Sequence, residues 1–164
     1  MQRLLLISLF LFPHVVFPQY KRLRDIGIST GVLPTGDWNA ITDVPGVKVG
    51  HTTVIKGHSV RTGLTASLPY EGNIFQHKVP AGIFVGNVSG KLAGSTQVLE
   101  LGNLESPVIL TNTLGVSTAI DAVIDFTLQQ KGYEKVHSVN VLVGETDDGY
   151  LNDIRGGTFE SKTY

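Results

Sequence analysis

The sequence predicts an α/β fold, in which strands form a sheet and helices cover it. Three observations lead to this prediction. Short runs of β-branched residues are separated by Gly, Pro and Asn, which is typical of strands joined by turns. Several runs are continuously apolar, as expected of strands that are covered on both faces. One longer segment repeats its apolar residues with a helical period, which indicates a helix packed against the sheet.

Two segments are predicted helices and five are predicted strands. The clearer helix covers residues 116–130, where apolar residues recur at intervals of three and four positions, and Gly132 supplies a stop after it. A shorter helical turn is predicted at residues 95–101. The predicted strands, in chain order, are residues 47–55, 63–68, 81–86, 108–111 and 136–144.

The N-terminus has a composition of its own. Arg3 precedes an apolar run at residues 4–12, which has the length of a secretory signal and is shorter than the roughly 20 residues that span a bilayer. We therefore predict a signal peptide at residues 1–18 and one domain at residues 19–164. The prediction implies export to the periplasm or the extracellular space, without stable membrane insertion. An uncleaved apolar anchor or a buried N-terminal strand is the alternative.

Composition excludes several classes of function. The 13 Lys and Arg residues balance 14 Asp and Glu residues, so the chain has no basic surplus of the kind that binds nucleic acid. No cysteine is present, which rules out disulfides, thiolate nucleophiles and cysteine metal sites. The five histidines do not have the spacing of a metal motif. We predict no metal site and no cofactor.

An acidic loop follows the last predicted strand and contains Glu145, Asp147, Asp148 and Asp153. Glu145 comes first, where a buried strand ends, and such a position can hold a carboxylate rigidly at the floor of a pocket. A substrate ammonium group would be its natural ligand. From spacing alone, the favoured interpretation is a solvated acidic turn, because clusters of charged residues mostly face water.

Four segments carry a resemblance to a known family. They are NAITDVPGVKVGHTT (residues 39–53), RTGLTASLP (61–69), SPVILTNTLGV (106–116) and VGETDDGYLNDIRGG (143–157). Together they resemble the L-aminopeptidase/D-amidase/esterase and beta-peptidyl aminopeptidase family. The resemblance implies a four-layer alpha/beta/beta/alpha sandwich, of the type shared with ornithine acetyltransferase, that is incomplete in this chain. Members of the family are longer and cut themselves to free a catalytic N-terminal serine.

The resemblance also implies substrate-binding residues. In this family the glutamate of a G/A-E-T segment binds the free amino group of the substrate, and Glu145 matches it, which reverses the preference for a solvated turn. Asn112 in the matching segment LTNT is the second candidate. An N-cap is the alternative there and is preferred, with Thr113 accepting N–H groups from the first turn of the helix.

Two positions depart from the family pattern. Asp147 stands where some relatives have a tyrosine implicated in catalysis, and Lys91 replaces an acidic residue in the segment at residues 87–94. The resemblance places the nucleophilic serine in a later segment, so no residue of this chain is assigned as catalytic.

The prediction is therefore the N-terminal portion of an exported, self-processing aminopeptidase within a single peptidase domain. Its substrates would be small peptides or amino-acid amides, and the full-length protein is expected to be a homo-oligomer. Without the nucleophile, the 164 residues are not expected to perform covalent catalysis by themselves. One alternative is an inactive truncated fragment or binding module. The other is an ornithine acetyltransferase-like acyl transferase, which the signal peptide and the segment ITDVPGVKVGHTT disfavour.

Overall fold

The structure is a computed structural model, and it describes residues 21–87 and 89–156. The chain divides into two compact units, Met1–Thr35 and Gly36–Tyr164. In the first unit a short 3-10 helix, Leu23–Ile26, ends at Gly27, whose φ of 83° suits glycine. The predicted signal peptide at residues 1–18 lies outside the described residues.

In the described part of the second unit, seven strands form two sheets, accompanied by two α-helices. The helices are α1 (Ser95–Leu101) and α2 (Val116–Leu128). The larger sheet has the strand order β1-β2-β6-β7-β4, and β3 pairs with β5. The strands are β1 (Lys48–Lys56), β2 (Val60–Leu68), β3 (Val79–Pro80), β4 (Leu92–Ala93), β5 (Asn103–Leu104), β6 (Val108–Asn112) and β7 (Leu142–Thr146).

The larger sheet is mixed. β1 and β2 form an antiparallel hairpin, and β2 continues antiparallel to β6 with Ala66 opposite Ile109. β6 and β7 are parallel, which requires a crossover connection, and α2 lies in that connection. β4 closes the other edge, antiparallel to β7, with Leu92 opposite Gly144. The two strands that carry the predicted site residues, β6 and β7, are therefore direct neighbours.

The core lies between α2 and one face of the larger sheet. Val143 is fully buried at the centre of β7, and the stripe predicted for the helix is confirmed on the buried side of α2. Partly buried side chains from β2 and β4 extend the same cluster. The buried members are Ile109, Val116, Ala119, Val123, Val141 and Val143.

The opposite face of the larger sheet is more open. Successive residues of a strand point to opposite faces, so Leu110 lies on the face away from Ile109, and it is 51% exposed. Cover on both faces was predicted from the apolar runs, whereas within the described ranges this part of the second face is not covered. No helix in those ranges is long and apolar enough to cross a membrane.

Two predicted strands are wrong in whole or in part. Residues 81–86 are irregular: Ala81 donates its N–H to the carbonyl of Gly102 at 2.8 Å, and Phe84 further along is 90% exposed. The strand predicted at residues 136–144 begins only at Leu142. Before it, the N–H of Asn140 donates to Glu105 at 2.8 Å instead of to a neighbouring strand. An apolar run forms a strand only where a partner backbone is available.

The remaining predicted elements are confirmed; α1 has the predicted bounds, and the other elements have shifted ends. β2 begins three residues earlier than predicted, because its pairing with β1 continues to Val60 opposite Lys56. α1 is present, and α2 ends at Leu128, two residues before its predicted end. Gly132 has a φ of 92° in the turn beyond, which only glycine adopts at low cost.

Candidate functional site

Glu145 lies near the end of β7, a strand whose first three residues are buried. Leu142, Val143 and Gly144 precede it in β7 and are buried, so the strand fixes the backbone of Glu145. Only 8% of the Glu145 side chain is exposed. This carboxylate is therefore not part of a solvated turn, and it occupies the strand end that the sequence predicts.

An ammonium group from the same chain is bound to this carboxylate. Lys91 Nζ lies 3.0 Å from Glu145 Oε2. The backbones of the two residues are joined as well, because the N–H of Glu145 donates to the carbonyl of Lys91 at 3.1 Å. Lys91 precedes β4 and faces Glu145 across the β4–β7 pairing, and 60% of its side chain is exposed. The pair thus joins a buried anion to a largely solvated cation.

Asn112 ends β6 and is 2% exposed. Its Oδ1 accepts the N–H of Gly115 at 2.7 Å, so it caps the 3-10 turn Thr113–Gly115 that leads into α2. Its Nδ2 donates to Thr62 Oγ1 at 3.3 Å. The predicted cap at Thr113 is wrong. Thr113 is the first residue of the 3-10 turn, so the capping position is the residue before it, Asn112. The buried Thr113 hydroxyl has no hydrogen-bond partner among the described residues.

The two predicted site residues lie on adjacent strands but do not share a pocket wall. Thr111 is opposite Glu145, and Asn112 is opposite Thr146. Because neighbouring residues of a strand point to opposite faces, the side chains of Glu145 and Asn112 point away from each other. A cavity of about 510 Å³ is lined by Asn112 and Thr146, and Glu145 does not belong to its wall.

Besides Asp148 of the acidic loop, several polar residues line this cavity that were not singled out from the sequence. Thr62 donates to Asp148 Oδ2 at 2.6 Å, which extends the hydrogen-bond chain from Asn112 across the strand ends. His51 Nδ1 and Thr65 Oγ1 lie 2.9 Å apart on β1 and β2. All four side chains line the cavity. The matching segment at residues 61–69 was the available signal, since it contains both Thr62 and Thr65.

The rest of the acidic loop divides into distinct roles. Asp147, where some relatives have tyrosine, accepts the N–H of Gly149 at 3.0 Å and closes a turn. Tyr150 is 96% exposed. Asp153 accepts the N–H of Gly156 at 3.1 Å. Across the described ranges, no group of three or more His, Cys, Asp or Glu side chains is placed to hold a metal ion.

A second ion pair joins the buried carboxylate of Glu105 to the partly exposed ammonium of Lys78. Lys78 donates to Glu105, which also accepts the backbone and side-chain N–H groups of Asn140. Burial of Glu105 raises the pKa of its carboxyl, but these bonds outweigh that effect and hold the pKa below its usual value. The carboxylate thereby connects the segment before β6 to the segment before β7.

The chain also matches a known protein family. The sequence profile of peptidase family S58 matches residues 39–164. The chain belongs to peptidase family S58. The resemblance stated from the four segments is thus confirmed, and Glu145, Asn112 and the cavity all lie within the matched S58 region.

Three relatives illustrate the S58 match. The beta-peptidyl aminopeptidase BapA of Sphingosinicella microcystinivorans is 38% identical over 143 residues, covering 82% of this chain and 35% of the relative. The PH0078 protein of Pyrococcus horikoshii OT3 is 49% identical with a TM-score of 0.77, covering 83% of this chain and 41% of that one. The L-aminopeptidase D-Ala-esterase/amidase of Ochrobactrum anthropi is 34% identical with a TM-score of 0.72, and the match covers 82% of this chain and 40% of that one.

These matches confirm the predicted fold class. The Ochrobactrum anthropi structure is described as a variant of the Ntn hydrolase fold, and the S58 chain superposes on it. The α/β character and the layered sandwich type follow from this match and from the mixed sheet with α2 on one face. The chain spans 35% of the length of the curated relative.

Proposed function

We propose that this S58 chain is the N-terminal portion of an exported, self-processing aminopeptidase. The complete protein would hydrolyse the N-terminal amide bond of small peptides or amino-acid amides and would act as a homo-oligomer. Support for the activity comes from family membership and from relatives that are named aminopeptidases. Support for export comes from Arg3 and the apolar run at residues 4–12.

The observation that carries this proposal is the environment of Glu145. Its carboxylate is 8% exposed, stands at a rigid strand end, and holds an ammonium group at 3.0 Å. A free peptide N-terminus is also an ammonium group, and a charge-assisted hydrogen bond to a carboxylate is stronger than a neutral one. A substrate without that charge could not replace the ammonium group that the carboxylate already holds, so this site would select free amines.

The bond-making steps are assigned to another segment of the complete protein. Self-cleavage would free a serine whose own α-amine, or a nearby group, accepts the hydroxyl proton. The serine oxygen attacks the carbonyl carbon, the amine leaves with a proton, and water hydrolyses the resulting ester. Glu145 makes no bond in these steps. It holds the ammonium end of the substrate and so positions the neighbouring carbonyl.

Asn112 stays a predicted substrate-binding residue. An asparagine side chain has two N–H donors and two acceptor lone pairs, and one of each is used by Thr62 and Gly115. One donor and one lone pair remain for a ligand in the cavity that Asn112 lines. Its fixed position in the cap would make it a rigid contact for a ligand in that cavity, whose wall does not include Glu145.

The test compares a free amine with its blocked form. The complete gene product is assayed on L-alanine para-nitroanilide and on the N-acetyl derivative, as wild type and as Glu145→Gln. We expect the variant to retain self-cleavage and to lose about 2 to 4 kcal/mol of transition-state binding on the free amine, on the order of 30- to 1000-fold in kcat/KM. The N-acetyl substrate should be poor for the wild type and should gain relative to the free amine in the variant.

Glu100→Gln is the matched control, because Glu100 is an exposed glutamate on α1. It should leave both rates unchanged. Equal wild-type turnover of the free and acetylated substrates would refute the role of Glu145. Absence of turnover in a complete, folded protein that still binds amines would instead favour the binding module over the enzyme.

A further inference from the structure

The pair formed by Lys91 and Glu145 is the contact that the proposed function leaves unexplained. Glu145 is the proposed acceptor for a substrate ammonium, yet its Oε2 is already bound by the ammonium of Lys91 at 3.0 Å. We propose that Lys91 is a specificity-determining residue: it is an internal competitor that occupies Glu145 until a substrate amine displaces it. This inference rests on the proposed function of Glu145.

The exposure of the two side chains is strongly unequal. The Glu145 side chain is 8% exposed and the Lys91 side chain is 60% exposed. A lysine has a flexible four-carbon stem and a strongly hydrated ammonium, so Lys91 can turn into water at little cost. Glu145 cannot follow, because its strand is held by the buried residues Val143 and Gly144. The cation is therefore the partner that leaves, and it uncovers a carboxylate.

The ion pair is not needed to hold β4 on the sheet. Leu92 and Ala93 pair with Gly144 and Val143, and the N–H of Glu145 donates to the Lys91 carbonyl at 3.1 Å. These contacts use only the backbone and do not depend on the lysine charge. Removing the ammonium should consequently free the carboxylate while β4 stays in register.

Competition has a simple thermodynamic consequence. When only a fraction of molecules has an accessible carboxylate, the apparent dissociation constant for an amine rises in inverse proportion to that fraction. A tethered ammonium acts at a high effective concentration, so even a modest ion pair reduces this fraction. Lys91 would thus weaken the binding of every amine ligand by the same factor and leave ligands without an amine unaffected, which sets how strongly the site discriminates between the two.

The experiment measures amine binding to the complete protein by calorimetry. L-alaninol is the probe, because it carries the amine without a hydrolysable amide, and N-acetyl-L-alaninol is the blocked counterpart. Lys91→Met removes the charge and keeps an extended stem. We expect it to tighten L-alaninol binding roughly three- to tenfold without changing the acetylated probe. In a Glu145→Gln background, Lys91→Met should change neither.

Lys56→Met is the matched control, since Lys56 is an exposed lysine on β1, at the opposite edge of the sheet from β4. It should leave amine binding unchanged. Lys91→Gln serves as a second variant in case Lys91→Met does not fold, and amide hydrogen exchange at Glu145 reports whether β4 stays paired. The same tightening is expected for both Lys91 variants.

The outcomes separate the two proposals. If Glu145→Gln weakens L-alaninol binding but neither Lys91 variant tightens it, the competition is refuted and the role of Glu145 stands. If Glu145→Gln leaves L-alaninol binding unchanged both in the wild type and in Lys91→Met, Glu145 does not bind the amine, and the competition proposal is refuted as well. Equal tightening by Lys56→Met would show a general charge effect and would also overturn the inference.

Discussion

Asn112 Oδ1 accepts the N–H of Gly115 at 2.7 Å, so the residue that ends β6 also begins the helical segment that covers the sheet. The same side chain donates to Thr62 on β2. One amide thereby connects two strands and the start of α2. Asn112 therefore contributes both to the start of the helical segment and to the wall of the cavity.

Asn112→Ala should lower the free energy of unfolding by about 1 to 2 kcal/mol, because it removes the cap and leaves the N–H of Gly115 without an acceptor. Asn112→Asp is the matched variant: it keeps an acceptor for Gly115 but replaces the donor to Thr62. Urea unfolding measures both. If the Ala variant is as stable as the wild type, the cap contributes nothing and the role of Asn112 lies in binding alone.

Stability should depend on pH through Glu105. Its folded-state pKa is lowered, so its stabilising contribution is complete above the ordinary glutamate pKa of 4.5 and is lost as the pH falls through the folded pKa. The unfolding free energies of wild type and Glu105→Gln should therefore differ at neutral pH and converge in acid. Urea unfolding at a series of pH values measures this convergence.

Glu71→Gln is the control for the pH series, because the pair of Glu71 with Lys48 is exposed on both sides and should contribute little at any pH. Lys78→Met should raise the pKa of Glu105, since burial then acts without its cationic partner. A constant difference between wild type and Glu105→Gln from neutral pH to strong acid would contradict the lowered pKa.

Gly94→Ala should destabilise the edge of the larger sheet. Gly94 has a φ of 80°, and an added Cβ would lie 2.2 Å from the carbonyl oxygen of Val141. Both the backbone conformation and the close approach oppose a side chain, so we expect a loss of about 2 to 4 kcal/mol. Gly57→Ala is the control, because its φ is 53° and nothing lies within 4 Å of the added atom.

Urea unfolding of the two glycine variants separates the cost of the left-handed backbone conformation from the cost of the steric clash with Val141. Gly57→Ala should cost only about 1 kcal/mol, the usual penalty of the left-handed conformation. Equal losses in the two variants would show that β4 moves away from Val141 without cost. Such movement would also displace Lys91 from Glu145, which amide exchange at Glu145 would detect.

The proposal that the protein is exported predicts where the mature N-terminus lies. Because Arg3 and the apolar run at residues 4–12 have the form of a secretory signal, the protein isolated from its native host should begin near Gln19. Intact-mass spectrometry measures this directly. An intact Met1 on protein recovered from the cytoplasm would refute the export proposal.

Local periodicity was sufficient to identify the main elements. The stripe of α2 repeats within a few residues, and the β-branched residues of β1 and β6 are equally local, so both patterns are readable along the chain. The position of Glu145 was also accessible, because it follows directly on the apolar run that becomes β7. The family segments added the amine-binding hypothesis, which composition and spacing did not favour.

Only the tertiary structure decided which residues meet. Lys91 reaches Glu145 across 54 positions of the chain, and the strand predicted at residues 136–144 is shortened because a distant carboxylate, Glu105, binds the N–H of Asn140. The helix cap was predicted at Thr113 and is observed at Asn112, because a 3-10 turn begins at Thr113. A hydrogen bond or ion pair between remote residues depends on the packed backbone that brings them together, and no local pattern encodes that distance.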